Sequence, residues 1–174
     1  MVTRMKLTVA ALVCVAGLFA LPDAARAQKV VFVVRHAEKI SETDQRLTEA
    51  GRTRAVRLAR MLKDSGVGAV YATDTERTRD TVKPLADALG LAIALYDTGA
   101  GMAGPADARP FVARLRKEHG DDAVLVAGHS NTIPDLLKAL GCPGAISIAA
   151  DEYDNLFVVV PKPDGTATLV RLRY

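Results

Sequence analysis

The 174-residue sequence predicts an α/β domain, a three-layer αβα sandwich with helices on both faces of a mostly parallel sheet. Three observations lead there. Short apolar runs recur at 29–34, 67–72, 91–96 and 123–127, and each is followed by a stretch of helical periodicity. The runs do not alternate with polar residues, as befits strands buried on both faces of a parallel sheet. Hydrophobic residues make up 49% and aromatics only 5%, a composition of small aliphatics that suits a packed core and excludes a disordered or fibrous chain.

The first 27 residues stand apart from this pattern. Arg4 and Lys6 precede the apolar run Leu7–Leu21, and the segment closes on the small-x-small triplet Ala25-Arg26-Ala27. A charged start, a short apolar run and such a triplet are the parts of a secretory signal peptide. The run is shorter than the ~20 residues of a membrane span. Cys14 follows Leu12-Val13, where a lipid-modification site needs a small residue. Cleavage after Ala27 is expected, giving an exported, periplasmic or secreted domain of residues 28–174 with no membrane span.

Removing that segment changes the charge. The whole chain has 23 Lys and Arg against 20 Asp and Glu; residues 1–27 hold three of the former and one of the latter, leaving 20 against 19. No basic run or aromatic–basic interleaving remains, so no nucleic-acid surface is expected. Cys142 is the one cysteine left, which excludes an intrachain disulfide and predicts a buried thiol.

The elements follow in order. Lys29–Val34 is the first strand. Leu47–Ser65 is a helix, with Thr48 as N-cap, Ala55, Leu58, Ala59 and Leu62 as its apolar stripe, and Gly66 as its stop. Val67–Ala72 is a strand, Thr75–Leu89 a helix containing Pro84 and stopped by Gly90, and Leu91–Tyr96 a strand. Pro105–His119 is a helix with Phe111, Val112 and Leu115 inward; Ala123–Ala127 is a strand; Asn131–Leu140 is a helix stopped by Gly141. Leu156–Val160 and Thr166–Arg171 are strands joined by the turn Pro161–Gly165.

In such a sheet a site forms beyond the carboxyl ends of the strands. Arg35 and His36 end the first strand. Arg77 and Arg79 lie in the helix start after the second. Gly128-His129-Ser130-Asn131-Thr132 follows the fourth. Two histidines and several arginines, without a nucleophilic cysteine or a set of metal ligands, fit phosphoryl chemistry. Guanidinium forks match phosphoryl oxygens. A neutral imidazole can attack phosphorus, and a second, protonated one can stabilise the charge that develops.

These residues resemble the histidine phosphatase superfamily, the phosphoglycerate-mutase-like enzymes. Arg35-His36-Ala37-Glu38 is similar to its Arg-His-Gly signature, with alanine in place of glycine. Thr73 to Thr81 is similar to its Ser-x-x-x-Arg-x-x-x-Thr helix start, Gly128-His129-Ser130 to its Gly-His motif, and Leu47-Thr48-x-x-Gly51 to its helix entry. The resemblance implies His36 as nucleophile, with Arg35, Arg77 and His129 binding the phosphoryl group, and no cofactor or metal. Asp97 falls where larger members carry the proton donor; Glu38 and Glu152 are its rivals. The loop Thr98–Pro105 replaces the lid subdomain of larger relatives, so only a minimal lid is expected. Ser41, Thr43 and Arg46 lie on the loop after His36. The expectation is a metal-independent phosphatase acting on a phosphorylated small molecule, lipid or protein. A non-catalytic phosphate- or headgroup-binding module and a phosphomutase are the alternatives.

Overall fold

Residues 29–98 and 107–174 are described by the computed structural model. Residues 1–28, with the expected signal peptide, and 99–106, with most of the expected short loop, lie outside the described residues. The elements are β1 (Val30–Arg35), α1 (Glu49–Leu62), β2 (Val67–Ala72), α2 (Glu76–Leu89), β3 (Ile93–Leu95), α3 (Arg109–Glu118), β4 (Ala123–Gly128), α4 (Ile133–Ala139), β5 (Asn155–Pro161) and β6 (Ala167–Arg173). Among them no helix is long and apolar enough to cross a membrane.

The strands form one sheet in the order β3-β2-β4-β1-β5-β6. β3, β2, β4 and β1 run parallel, while β5 pairs antiparallel with both β1 and β6. The sheet is thus mixed, with the expected parallel core. Successive side chains of a strand point to opposite faces. Val31 and Val33 accordingly join Val124, Val126 and Phe157 beneath α3 and α4, while Phe32 and Val34 join Leu125, Ala127 and Leu156 beneath α1 and α2. This two-sided burial is why the β1 run is apolar throughout.

Boundaries moved where hydrogen bonding competed with periodicity. β3 is shorter than the run Leu91–Tyr96 because Leu91 is consumed by the end of α2: Gly90 takes a φ of 67° and the Leu91 N–H donates to the Ala86 carbonyl at 2.9 Å. α4 begins at Ile133, not Asn131, because Thr132 Oγ1 accepts from the His129 N–H at 3.0 Å and holds Ser130 and Asn131 in a turn. Cys142 is buried as expected, and burial pushes its thiol up to about 11, which leaves it unreactive.

The helix entry shows why its motif has that form. Thr48 Oγ1 accepts from the Gly51 N–H at 3.0 Å, and the Thr48 N–H donates to the Glu38 carbonyl at 2.9 Å. A Cβ on Gly51 would lie 2.4 Å from that same carbonyl oxygen. The contact clips α1 to the loop that follows His36. Gly51→Ala is therefore expected to destabilise the fold by about 1–3 kcal/mol, the usual cost of overpacking, and to lower Tm in a thermal melt.

Candidate active site

The carboxyl ends of β2, β4 and β1 lie side by side. Arg35 is in register with Gly128, the His36 N–H donates to the Gly128 carbonyl at 2.9 Å, and the Thr73 N–H donates to the Ala127 carbonyl at 3.3 Å. This ladder places the His36 and His129 rings 5.3 Å apart. Both rings, Arg35 and Arg77 line a cavity of about 350 Å3, with Lys39, Glu42, Ser130, Asn131, Ala150 and Tyr153. All four of the sequence-predicted groups are buried.

Each ring is fixed by its hydrogen bonds. His36 Nδ1 lies 2.8 Å from the Ala37 carbonyl oxygen. A carbonyl only accepts, so the proton sits on Nδ1 and the lone pair on Nε2. The Ala37 N–H in turn donates to Thr81 Oγ1 at 2.8 Å, which anchors the turn to α2. His129 Nδ1 lies 3.2 Å from Arg77 Nη2, which can only donate. His129 therefore carries its proton on Nε2 and gives it to Thr73 Oγ1 at 2.8 Å, whose hydroxyl donates to Thr78.

This arrangement makes His129 neutral. Burial, then the positive charges of Arg77 and Arg35, lowers it to about 3. Burial, together with Arg77, Arg35 and Lys39, lowers His36 to about 4 despite the Ala37 hydrogen bond. An unfolded histidine protonates near pH ~6.5. As pH falls from there towards about 4, the unfolded chain binds more protons than the folded one, so stability drops across that window. Urea unfolding at pH 7 and pH 5 should show this loss, and a His36→Asn/His129→Gln variant should show a smaller one.

The arginines divide their work. Arg77 donates through Nη1 to Gln45 Oε1 and through Nη2 to His129. Arg35 gives Nη1 to the carbonyls of Ala149, Ala150 and Glu152. That part of the fork is occupied by backbone, a departure from a purely phosphate-binding Arg35. Arg79, by contrast, turns to Asp74 at 2.6 Å and stays exposed, outside the site.

The carboxylates separate just as clearly. Glu38 takes Arg54 Nε and Nη2 in a fork, and this pairing holds it below the usual range against its partial burial. Glu152 is bound by Arg171 and Arg173, and the Arg173 hydrogen bond holds it down to about 2. Neither carboxylate lines the cavity that holds the two histidines. Asp97 lines an adjoining cavity of about 230 Å3 with Thr73, Asp74, Thr98 and Thr132, and His129 forms a wall of both cavities. Among the described residues, no group of three or more His, Cys, Asp or Glu is placed to hold a metal ion.

Comparison with known proteins bears on the fold. Residues 31–98 match the model of the histidine phosphatase superfamily (branch 1). A probable phosphoglycerate mutase, GpmB, of Erwinia tasmaniensis is 34% identical over 73 residues, which cover 37% of this chain and 34% of that protein. The matched stretch thus spans about a third of that relative's length. The protein histidine phosphatase SixA, solved with tungstate, superposes with a TM-score of 0.63 at 21% identity, over 83% of this chain and 96% of that one. A mycobacterial glucosyl-3-phosphoglycerate phosphatase, solved with vanadate, gives 0.64 at 19% identity, over 83% and 98%. The fold is that of the histidine phosphatases.

On that fold, the loop after His36 contributes residues that the sequence did not single out. Ser41 and Thr43 bond each other, and Arg46 pairs with Asp44. Lys39 and Glu42 line the cavity instead, and Gln45 accepts from Arg77. A bridge between Lys39 and Leu47 closes this loop, and no motif or periodicity announces it. Tyr153 was missed for a similar reason, lying in an irregular turn before β5.

Proposed function

We propose that this protein is a metal-independent phosphatase that hydrolyses phosphate monoesters through a phosphohistidine on His36. The observation that carries this is the buried, neutral His36, with its lone pair on Nε2, inside a cavity ringed by Arg35, Arg77 and Lys39. Nε2 attacks phosphorus, and the P–O ester bond breaks as the leaving oxygen takes a proton from Asp97. Water then attacks phosphorus, giving its proton to Asp97, and the P–N bond breaks to free His36 and release inorganic phosphate. Arg77 and the unoccupied part of the Arg35 fork stabilise the equatorial oxygens, and a bound dianion would favour protonation of His129, countering the field that keeps it neutral.

Hydrolysis is favoured over mutase chemistry because only residues 96–108 connect β3 to α3. A mutase must keep its phosphoenzyme away from water, and so short a connection leaves little chain for a covering lid. The substrate class proposed is an accessible phosphate on a small molecule, lipid or protein.

Turnover of p-nitrophenyl phosphate by residues 28–174, with and without EDTA, tests the proposal. Equal release of phosphate in both supports it. Loss in EDTA overturns the metal-independent mechanism, and phosphate binding without release favours a binding module. Export is proposed on the strength of residues 1–27 alone: mass spectrometry of the exported protein is expected to find Gln28 at its N-terminus, and an intact Met1 in the cytosol would defeat it.

A further inference from the structure

Tyr153 has no part in the reaction above, yet it touches two of its participants. Its ring centroid is 4.1 Å from the Arg35 guanidinium carbon and 5.8 Å from the His36 ring centroid. The turn that carries it is held from both sides. From within, Arg35 Nη1 donates to Ala149, Ala150 and Glu152 at 2.8, 2.9 and 3.2 Å. From outside, the Glu152 carboxylate accepts from the Ala149 N–H and pairs with Arg171 and Arg173, while Asp154 pairs with Arg173. The residues on either side of Tyr153 are therefore pinned to β6, and its ring is presented at a fixed height over the cavity.

Arg35 needs such a surface. It is 6% exposed, its Nη1 is committed to backbone, and its buried Nε has no hydrogen-bond partner. A buried donor without a partner is costly and awaits an acceptor. An arginine side chain can otherwise rotate about its last torsions, and an aromatic face against the guanidinium holds that plane.

We propose that Tyr153 is a positioning residue of the phosphoryl site: its ring fixes the Arg35 guanidinium plane and the attitude of the His36 imidazole, so that both address the same phosphorus. The inference rests on the phosphoryl-transfer reading given above. The ring face, not the hydroxyl, performs this function. Small misplacements of a nucleophile cost rate far more than binding, up to ~100-fold for about 1 Å.

The test is a set of variants assayed with p-nitrophenyl phosphate and, independently of turnover, by orthovanadate titration. Tyr153→Phe should stay within about 2-fold of wild type in kcat, whereas Tyr153→Leu should lose about 10- to 100-fold in kcat with KM nearly unchanged and Tm preserved. Arg35→Lys breaks the planar fork, and the Arg35→Lys/Tyr153→Leu double variant should lose little more than the worse single one, because the two side chains act as a unit. If Tyr153→Leu does not fold, Tyr153→Met takes its place. Multiplying losses, or Tyr153→Leu at wild-type kcat, would overturn the positioning role while leaving the phosphatase reading intact. A wild type that binds vanadate without turnover fails that reading alone, and the same cycle is then read in vanadate affinity. A wild type that does neither fails both.

Discussion

His36→Ala is expected to lower kcat by ~10⁴-fold or more, as removal of a covalent nucleophile does elsewhere. The effect should be on chemistry and not on folding. The side chain makes one hydrogen bond, from Nδ1 to the adjacent Ala37 carbonyl, and the backbone N–H that ties residue 36 to Gly128 survives the substitution. Because burial keeps the imidazole neutral down to about 4, the wild-type nucleophile is ready across the neutral range without a neighbouring base. Rapid quench with ³²P-labelled substrate should trap an adduct that is labile in acid and stable in base, as a phosphoramidate is, and it should vanish in His36→Ala. Activity of His36→Ala near that of wild type would end the covalent mechanism, whatever the fold.

The parts of this arrangement that were legible in the sequence share one property: each is fixed by a local pattern. β1 reads as a buried strand because both its faces are covered, which is what an unbroken apolar run such as Val30–Val34 suits. Thr48 reads as a cap because a hydroxyl three residues before a glycine can accept its N–H. Arg35, His36, Arg77 and His129 could be grouped because each follows or ends a strand of one parallel sheet, and such ends converge. The arginine pairing of Glu38 and Glu152 was not legible. It depends on Arg54, Arg171 and Arg173, residues that reach the two carboxylates only once α1 and β6 have packed. The partition of the Arg35 fork was hidden for the same reason: its carbonyl acceptors are more than a hundred positions away, in a segment with no periodicity. The neutrality of His129 follows from burial and from the contact of Arg77 with its ring, which no motif shows.

Asp97→Asn is the substitution that separates the remaining possibilities for proton delivery. Asp97 follows the end of β3 and lines the cavity on the far side of the shared His129 wall from Tyr153 and Lys39. A group that protonates the leaving oxygen must matter in proportion to how basic that oxygen is. Alkyl phosphates are therefore expected to lose ~100-fold or more in kcat/KM, the usual worth of a positioned acid, while p-nitrophenyl phosphate, whose phenolate departs unaided, should lose far less. A Brønsted plot of kcat/KM against leaving-group pKa should steepen in the variant. If both substrate classes react as in wild type, Asp97 is not the donor. Glu152 and then Glu38, each paired with arginine, are the next to be substituted in the same assay. If none of the three carboxylates shows leaving-group dependence, the leaving group departs without a proton from the enzyme, and the natural substrate would be sought among phosphohistidines, whose ring can take its proton from solvent, and anhydrides, whose leaving phosphate is weakly basic.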